Sequence, residues 1–221
     1  MVVEADPSGG VLGARYGWGV EPGLVSLIAG LRRSEGRAVG VEEHARRLAG
    51  GVWVVPAPES GERARSVLTA SNAEMAARFA DDSRIWVVDA GRLEDGNPSL
   101  GLVDRSAVTV LVCGGRPEDV VQVPSRVERL RRCGGEVGLL VVGRCPYRRE
   151  ELAEFTGVTH VWLAWSGGDL REATAAVVGG SRRARRILVW RQAVEVAADV
   201  ASVALRCYAD ELETRLVGGG S

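Results

Sequence analysis

Two short segments concentrate the carboxylate chemistry of this chain. The first, Glu4-Ala5-Asp6-Pro7-Ser8-Gly9-Gly10, follows Val2-Val3 and reads as a strand end turning into a glycine-rich loop. If the strand runs through both carboxylates, its two-residue period puts Glu4 and Asp6 on the same side. The second, Ile85-Trp86-Val87-Val88-Asp89-Ala90-Gly91, is an apolar strand ending in Asp-x-Gly. A strand-end carboxylate either caps the turn that follows it or turns outward to a cation, and spacing alone leaves both uses open. The remaining reactive side chains are dispersed. Cys113, Cys133, Cys145 and Cys207 form no Cys-x-x-Cys pair, and His44 and His160 lie far from them in sequence. Free core thiols in a reducing cytosol, rather than a metal centre or a disulfide frame, are the expectation.

The elements that must position these residues read as α/β. Short β-branched runs alternate with longer amphipathic stretches, the pattern of a parallel sheet wrapped by helices. Strands are expected at Met1–Glu4, Val52–Pro56, Arg84–Asp89, Val108–Cys113, Val137–Val142 and Thr159–Ala164, several of them continuous apolar runs suited to burial on both faces. Helices are expected at Gly23–Arg33, Glu59–Ala80, Pro98–Arg105, Glu118–Cys133, Arg148–Thr156 and Asp169–Val178. The second of these should break near Ser71-Asn72, with Ser71 and Glu74 forming a capping box. In Glu118–Cys133, Pro124 marks a kink or a restart. A long C-terminal helix reaches about Leu216, with Val189, Ala193, Val196, Val200, Val203 and Tyr208 as its apolar stripe. The reading is one domain over residues 1–216 and a flexible Gly/Ser tail over 217–221. Of the tryptophans, Trp53, Trp86, Trp162, Trp165 and Trp190 read as core, and Trp18, between Gly17 and Gly19, as part of a surface loop.

Composition narrows the function classes. The 221 residues are 46% hydrophobic and 26% charged with a net charge of -1, so no general field drives the chain towards nucleic acid. All 28 basic residues are arginine, and no lysine occurs. There is no secretion signal and no apolar run long enough to span a membrane, which points to a cytoplasmic protein.

The first carboxylate segment resembles the second-strand signature of the ParA/MinD branch of P-loop ATPases, written hydrophobic-Asp-x-Asp-Pro-Gln-Gly. Glu4 stands for the first Asp and Ser8 for Gln. The resemblance covers roughly residues 1–200. It extends through Ile85–Gly91, through Val110-Leu111-Val112 with Gly114-Gly115-Arg116-Pro117-Glu118, and through Gly138–Arg144. The runs Glu21–Leu27, Gly91-Arg92-Leu93 and Cys145-Pro146-Tyr147 are similar to a divergent MinD-like subgroup of high-GC bacteria. The resemblance implies a three-layer, mainly parallel sheet. It implies that Asp6 orients water or metal in a switch loop, that Asp89 acts on Mg²⁺ through water, and that Gly91 opens a second switch near the γ-phosphate. Gly143, followed by Arg144, stands where the family has an adenine-contacting Asn.

A ParA-type nucleotide site also needs a glycine-rich turn with Lys and Ser or Thr. No such unit lies upstream of Met1 in this sequence, and none of its glycine pairs precedes Gly-Lys-Ser/Thr. The expectation is a relative lacking its first strand and P-loop, with no cofactor of its own although ATP and Mg²⁺ serve the family. It would work by contact with a protein partner or a second copy. Arg182, Arg183, Arg185 and Arg186 offer a contact to DNA phosphates or an anionic membrane. The acidic Glu195, Asp199, Asp210, Glu211 and Glu213 that follow oppose the membrane. Two alternatives stay open: a shortened chain of a true partitioning or positioning ATPase, and an unrelated regulatory α/β module.

Overall fold

The computed structural model describes residues 1–34, 39–48, 51–80, 82, 84–133, 135–164, 195–207 and 209. The chain divides into two compact units, Met1–Arg105 and Ser106–Ser221.

In the first unit, apolar β-branched runs form β1 (Val2–Glu4), β3 (Trp53–Val55) and β4 (Val87–Asp89), with β2 (Arg46–Arg47) a two-residue addition. The order is β2-β3-β1-β4, with β1 parallel to both neighbours and β2 antiparallel to β3. Helices α1 (Leu12–Tyr16), α2 (Leu24–Arg33), α3 (Gly61–Ala80) and α4 (Leu100–Val103) connect the strands, with a 3-10 turn at Val41–His44. The register pairs Val3 with Val55 and Val88, so these three share the face that meets Leu24, Leu27 and Ile28 of α2 and Leu68 and Met75 of α3. Each leucine buried this way is worth about 1.5–3 kcal/mol. On the other face, Val87 of β4 and Ile85 just before it are 57% and 63% exposed.

Two local expectations meet different fates in α3. The helix does break at Ser71, whose φ of -149° and ψ of 15° are not helical. The capping box does not form: Ser71 is 2% exposed and its Oγ has no hydrogen-bond partner. A cap needs its oxygen to accept an N–H of the following turn, and the Ser71 Oγ accepts none.

The second unit holds three longer strands, β5 (Val108–Gly114), β6 (Glu136–Val142) and β7 (His160–Ala164), all parallel in the order β5-β6-β7. Its helices are α5 (Pro117–Val120), α6 (Val123–Cys133) and α7 (Arg149–Thr156). The chain restarts as a helix at Pro124, which lies in the first turn of α6 where a missing N–H costs nothing. Val123, Val127 and Leu130 recur at helical spacing and are buried. Residues 195–207 are helical, within the expected tail helix. Apart from Ala209, the rest of that helix, with Asp169–Val178 and the arginines at 182, 183, 185 and 186, lies outside the described residues. Among the described residues, no helix is long and apolar enough to cross a membrane.

Candidate functional site at the ends of β1 and β4

The register sets the site. Glu4 lies level with Asp89, and the Ala5 N–H donates to the Asp89 carbonyl at 2.8 Å, so Asp6 leaves β1 beside the end of β4. Asp6 is half-buried, and its Oδ1 accepts the Ser8 N–H at 2.7 Å in an Asx-type turn. Asp89 is exposed, and its Oδ1 accepts the Gly91 N–H at 3.1 Å. Gly91 takes the left-handed φ of +69°, and a Cβ there would stand 2.4 Å from the Asp6 carboxyl carbon. Only glycine offers both the conformation and the space. Asp6, Asp89 and Gly91 are therefore brought together at one mouth.

Glu4 is not part of that mouth. The strand stops at Glu4, so the alternation that would align it with Asp6 ends there. Its side chain turns inward at 5% exposure. There Oε1 accepts the N–H groups of Val11 at 2.9 Å and Leu12 at 3.1 Å, and Oε2 accepts that of Ala57 at 3.1 Å. A buried carboxylate with three donors is a clamp on the loops after β1 and β3.

Two further residues shape the mouth. Asn97, 5% exposed, donates from Nδ2 to the carbonyls of Ala90 at 3.0 Å and Arg92 at 2.8 Å, and its Oδ1 accepts the Ser99 N–H at 2.7 Å. Ser99 is fully buried and its Oγ donates to the Ala5 carbonyl. Asn97-Pro98-Ser99 carries a turn signature in sequence, and the turn is formed. That its side chains reach back across the loop could not be read from spacing.

The expected base-contact residues lie in the second unit. There Gly143 follows β6 with φ of +98° and donates its N–H to Ala164 at 2.9 Å, and Arg144 is exposed. Among the described residues the four cysteines form no disulfide, and each is partly exposed rather than deep in the core. Burial pushes the Cys113 thiol above its ordinary range, with the nearby Asp119 and Cys145 adding to the effect. Trp18 stacks on Tyr16 with centroids 4.5 Å apart, and the Arg46 guanidinium lies over its ring.

No family model and no curated protein matches the chain. Solved structures do. The septum site-determining protein MinD from Pyrococcus horikoshii OT3, complexed with Mg-ADP, is 14% identical with a TM-score of 0.61, over 92% of this chain and 84% of that one. The cell division ATPase MinD of Pyrococcus furiosus is 16% identical with a TM-score of 0.59, over 88% and 86%. The ATP complex of Cyanothece McdA(D38A) is 15% identical with a TM-score of 0.57, over 81% and 75%. The chain has the fold of the MinD/ParA-like ATPases.

Among the described residues, those at this mouth do not by themselves make a site for magnesium or nucleotide. Asp6 and Asp89 supply carboxylates, but the chain holds no lysine to meet the phosphates. Among the described residues, no group of three or more His, Cys, Asp or Glu side chains is placed to hold a metal ion. The mouth also spends its donors internally, the N–H groups of Ser8 and Gly91 being taken by Asp6 and Asp89.

Proposed function

We propose that this chain is a ParA/MinD-like protein that acts in the cytoplasm through contact with a protein partner or a second copy, without hydrolysing ATP on its own. The observation that carries the reading is the mouth formed by Asp6, Asp89 and Gly91. It has the acidic strand ends of an ATPase of this fold and no lysine in 221 residues to complement them. Losing that cation removes the preorganised charge on which phosphoryl transfer depends, several orders of magnitude in rate. Asp6 then serves as a remnant of the switch loop, Asp89 as a turn-capping carboxylate, and Gly143 and Arg144 as the remnant of a base-contact loop. The acidic tail argues for a docking helix over a membrane anchor, and Arg182, Arg183, Arg185 and Arg186 remain a proposed contact for DNA phosphates. Titration of the 221-residue chain with Mg·ATP tests the reading. No saturable binding is expected up to millimolar nucleotide, and saturable micromolar binding would sink it.

A second reading, that the sequence is part of a working partitioning or positioning ATPase, is favoured by one observation. Val87 on β4, an edge strand among the described residues, and Ile85 just before it are 57% and 63% exposed, where the faces of parallel sheets are normally covered. One more parallel strand at that edge would bring a crossover helix to cover that face. A glycine-rich phosphate loop encoded in frame upstream, and ATP hydrolysis by the longer product, would establish this reading in place of the first.

A further inference from the structure

Two of the four cysteines are brought to one end of the second sheet. Cys113 is the last residue but one of β5 and lies level with Val141 of β6. Cys145 comes four residues after Val141, and a straight strand would carry it about 13 Å beyond that level. The chain instead leaves β6 at Gly143, whose φ is +98°, and Cys145 meets the start of the loop after β5. There a Cβ built on Gly115 would stand 2.8 Å from both Cα and Cβ of Cys145, so only glycine leaves room for the approach. Gly115 follows Cys113 by two residues, and Cys145 is near enough to add to the effect of burial on the Cys113 thiol. Both cysteines are partly exposed. The Cys145 Sγ makes one weak contact, donating to the Tyr147 carbonyl at 3.7 Å. Cys133 marks the contrast, because it ends α6 just before β6 begins at Glu136, at the opposite end of the strands.

We propose that Cys113 and Cys145 are a modification site, oxidised by a low-molecular-weight disulfide to an intramolecular disulfide that ties the loop after β6, with Arg144, to the end of β5. Burial and the Asp119 carboxylate keep the Cys113 thiol protonated, so the first attack falls to Cys145. Its thiolate displaces one thiol from the small disulfide and is left in a mixed disulfide. Cys113 then loses its proton and attacks the Cys145 sulfur, forming the bond between the two and releasing the second thiol. The pair gives up two electrons and two protons, and the small disulfide leaves as two thiols. In the reducing compartment proposed above such a bond is transient, a switch rather than a strut. The site uses no residue of the first unit, so it goes beyond the proposed function, and its test and the Mg·ATP titration succeed or fail separately.

The 221-residue chain is equilibrated in buffers of reduced and oxidised glutathione, quenched in acid, alkylated and digested, and its linked peptides are read by mass spectrometry. The expected product joins Cys113 to Cys145 and leaves Cys133 and Cys207 outside the linkage. In the folded chain it should form at a ratio of oxidised to reduced glutathione about tenfold or more below that needed by the same chain in urea, because the fold raises the effective concentration of one thiol at the other. Cys113→Ser should accumulate the mixed disulfide at Cys145, whereas Cys145→Ser should leave Cys113 largely open to alkylation. A folded chain that links no more readily than the unfolded one, a different cysteine pairing, or equal glutathione adducts on the two variants would overturn the proposal. Should a serine variant fail to fold, the comparison of folded with unfolded wild type decides the matter alone.

Discussion

The first unit pairs strands of three residues such as β1 and β4 and ties their ends with the buried polar side chains of Glu4, Asn97 and Ser99. The second pairs strands of seven and five residues, β6 and β7, and among the described residues no such clamp is seen where β6 gives way to Gly143. A three-residue strand contributes few ladder hydrogen bonds, so the loops that carry Asp6 and Asp89 must be held by side chains. Long parallel strands with buried Leu139 and Val141 hold themselves. The difference assigns scaffolding to the second sheet and adjustable loops to the first.

Substitutions that act on one side of this contrast should separate the two units. Leu139→Ala empties a fully buried position in β6 and should cost about 2–5 kcal/mol, read as a fall in melting temperature with loss of the whole second sheet. Glu4→Ala strands three backbone donors and should cost about 1–3 kcal/mol for each donor that water does not reach, whereas Glu4→Gln keeps one acceptor and should cost less. Urea unfolding of both variants measures that gap. Gly91→Ala forces a side chain into a left-handed residue and onto Asp6, at about 1–3 kcal/mol, with spectral changes confined to the first unit in NMR.

The smallest effect is electrostatic. The hydrogen bond from the Arg84 guanidinium holds the Asp82 carboxyl below its ordinary range, against the opposing pull of burial, and Arg84 also pairs with Glu42. A depressed carboxylate stabilises the fold above the ordinary carboxylate range and loses that contribution as pH falls through its lowered value. The stability difference between wild type and Asp82→Asn should therefore be present at neutral pH and close in acid. A difference that persists unchanged in acid would show that Asp82 acts by packing.

Much of the scaffold was legible because it rests on continuous apolar runs. All six expected strands occur, although β4 is shorter than Arg84–Asp89 because Ile85 and Trp86 precede its pairing with β1. Elements made by pairing or turning rather than by apolar pattern were not legible. Arg46-Arg47 forms β2 by pairing with Val54 and Trp53, and nothing in two arginines announces a strand. The short helix Leu12–Tyr16 and the 3-10 turn at Val41–His44 are likewise too brief for periodicity to show. At the site, Asp6 and Asp89 stand out in the sequence as carboxylates at strand ends, while Gly91 was singled out by the family resemblance. The inward turn of Glu4 could not, because it depends on where β1 stops, and neither could the reach of Asn97 and Ser99, which depends on the path of the loop.

The proposed function holds that Asp6 and Asp89 keep the acidic strand ends of a MinD-fold ATPase without its phosphate chemistry. Phosphate release from Mg·ATP by the 221-residue chain, measured beside its Asp89→Ala variant, tests it most directly. The account predicts that both proteins stay at the same background rate. Turnover above background that disappears in Asp89→Ala would contradict it.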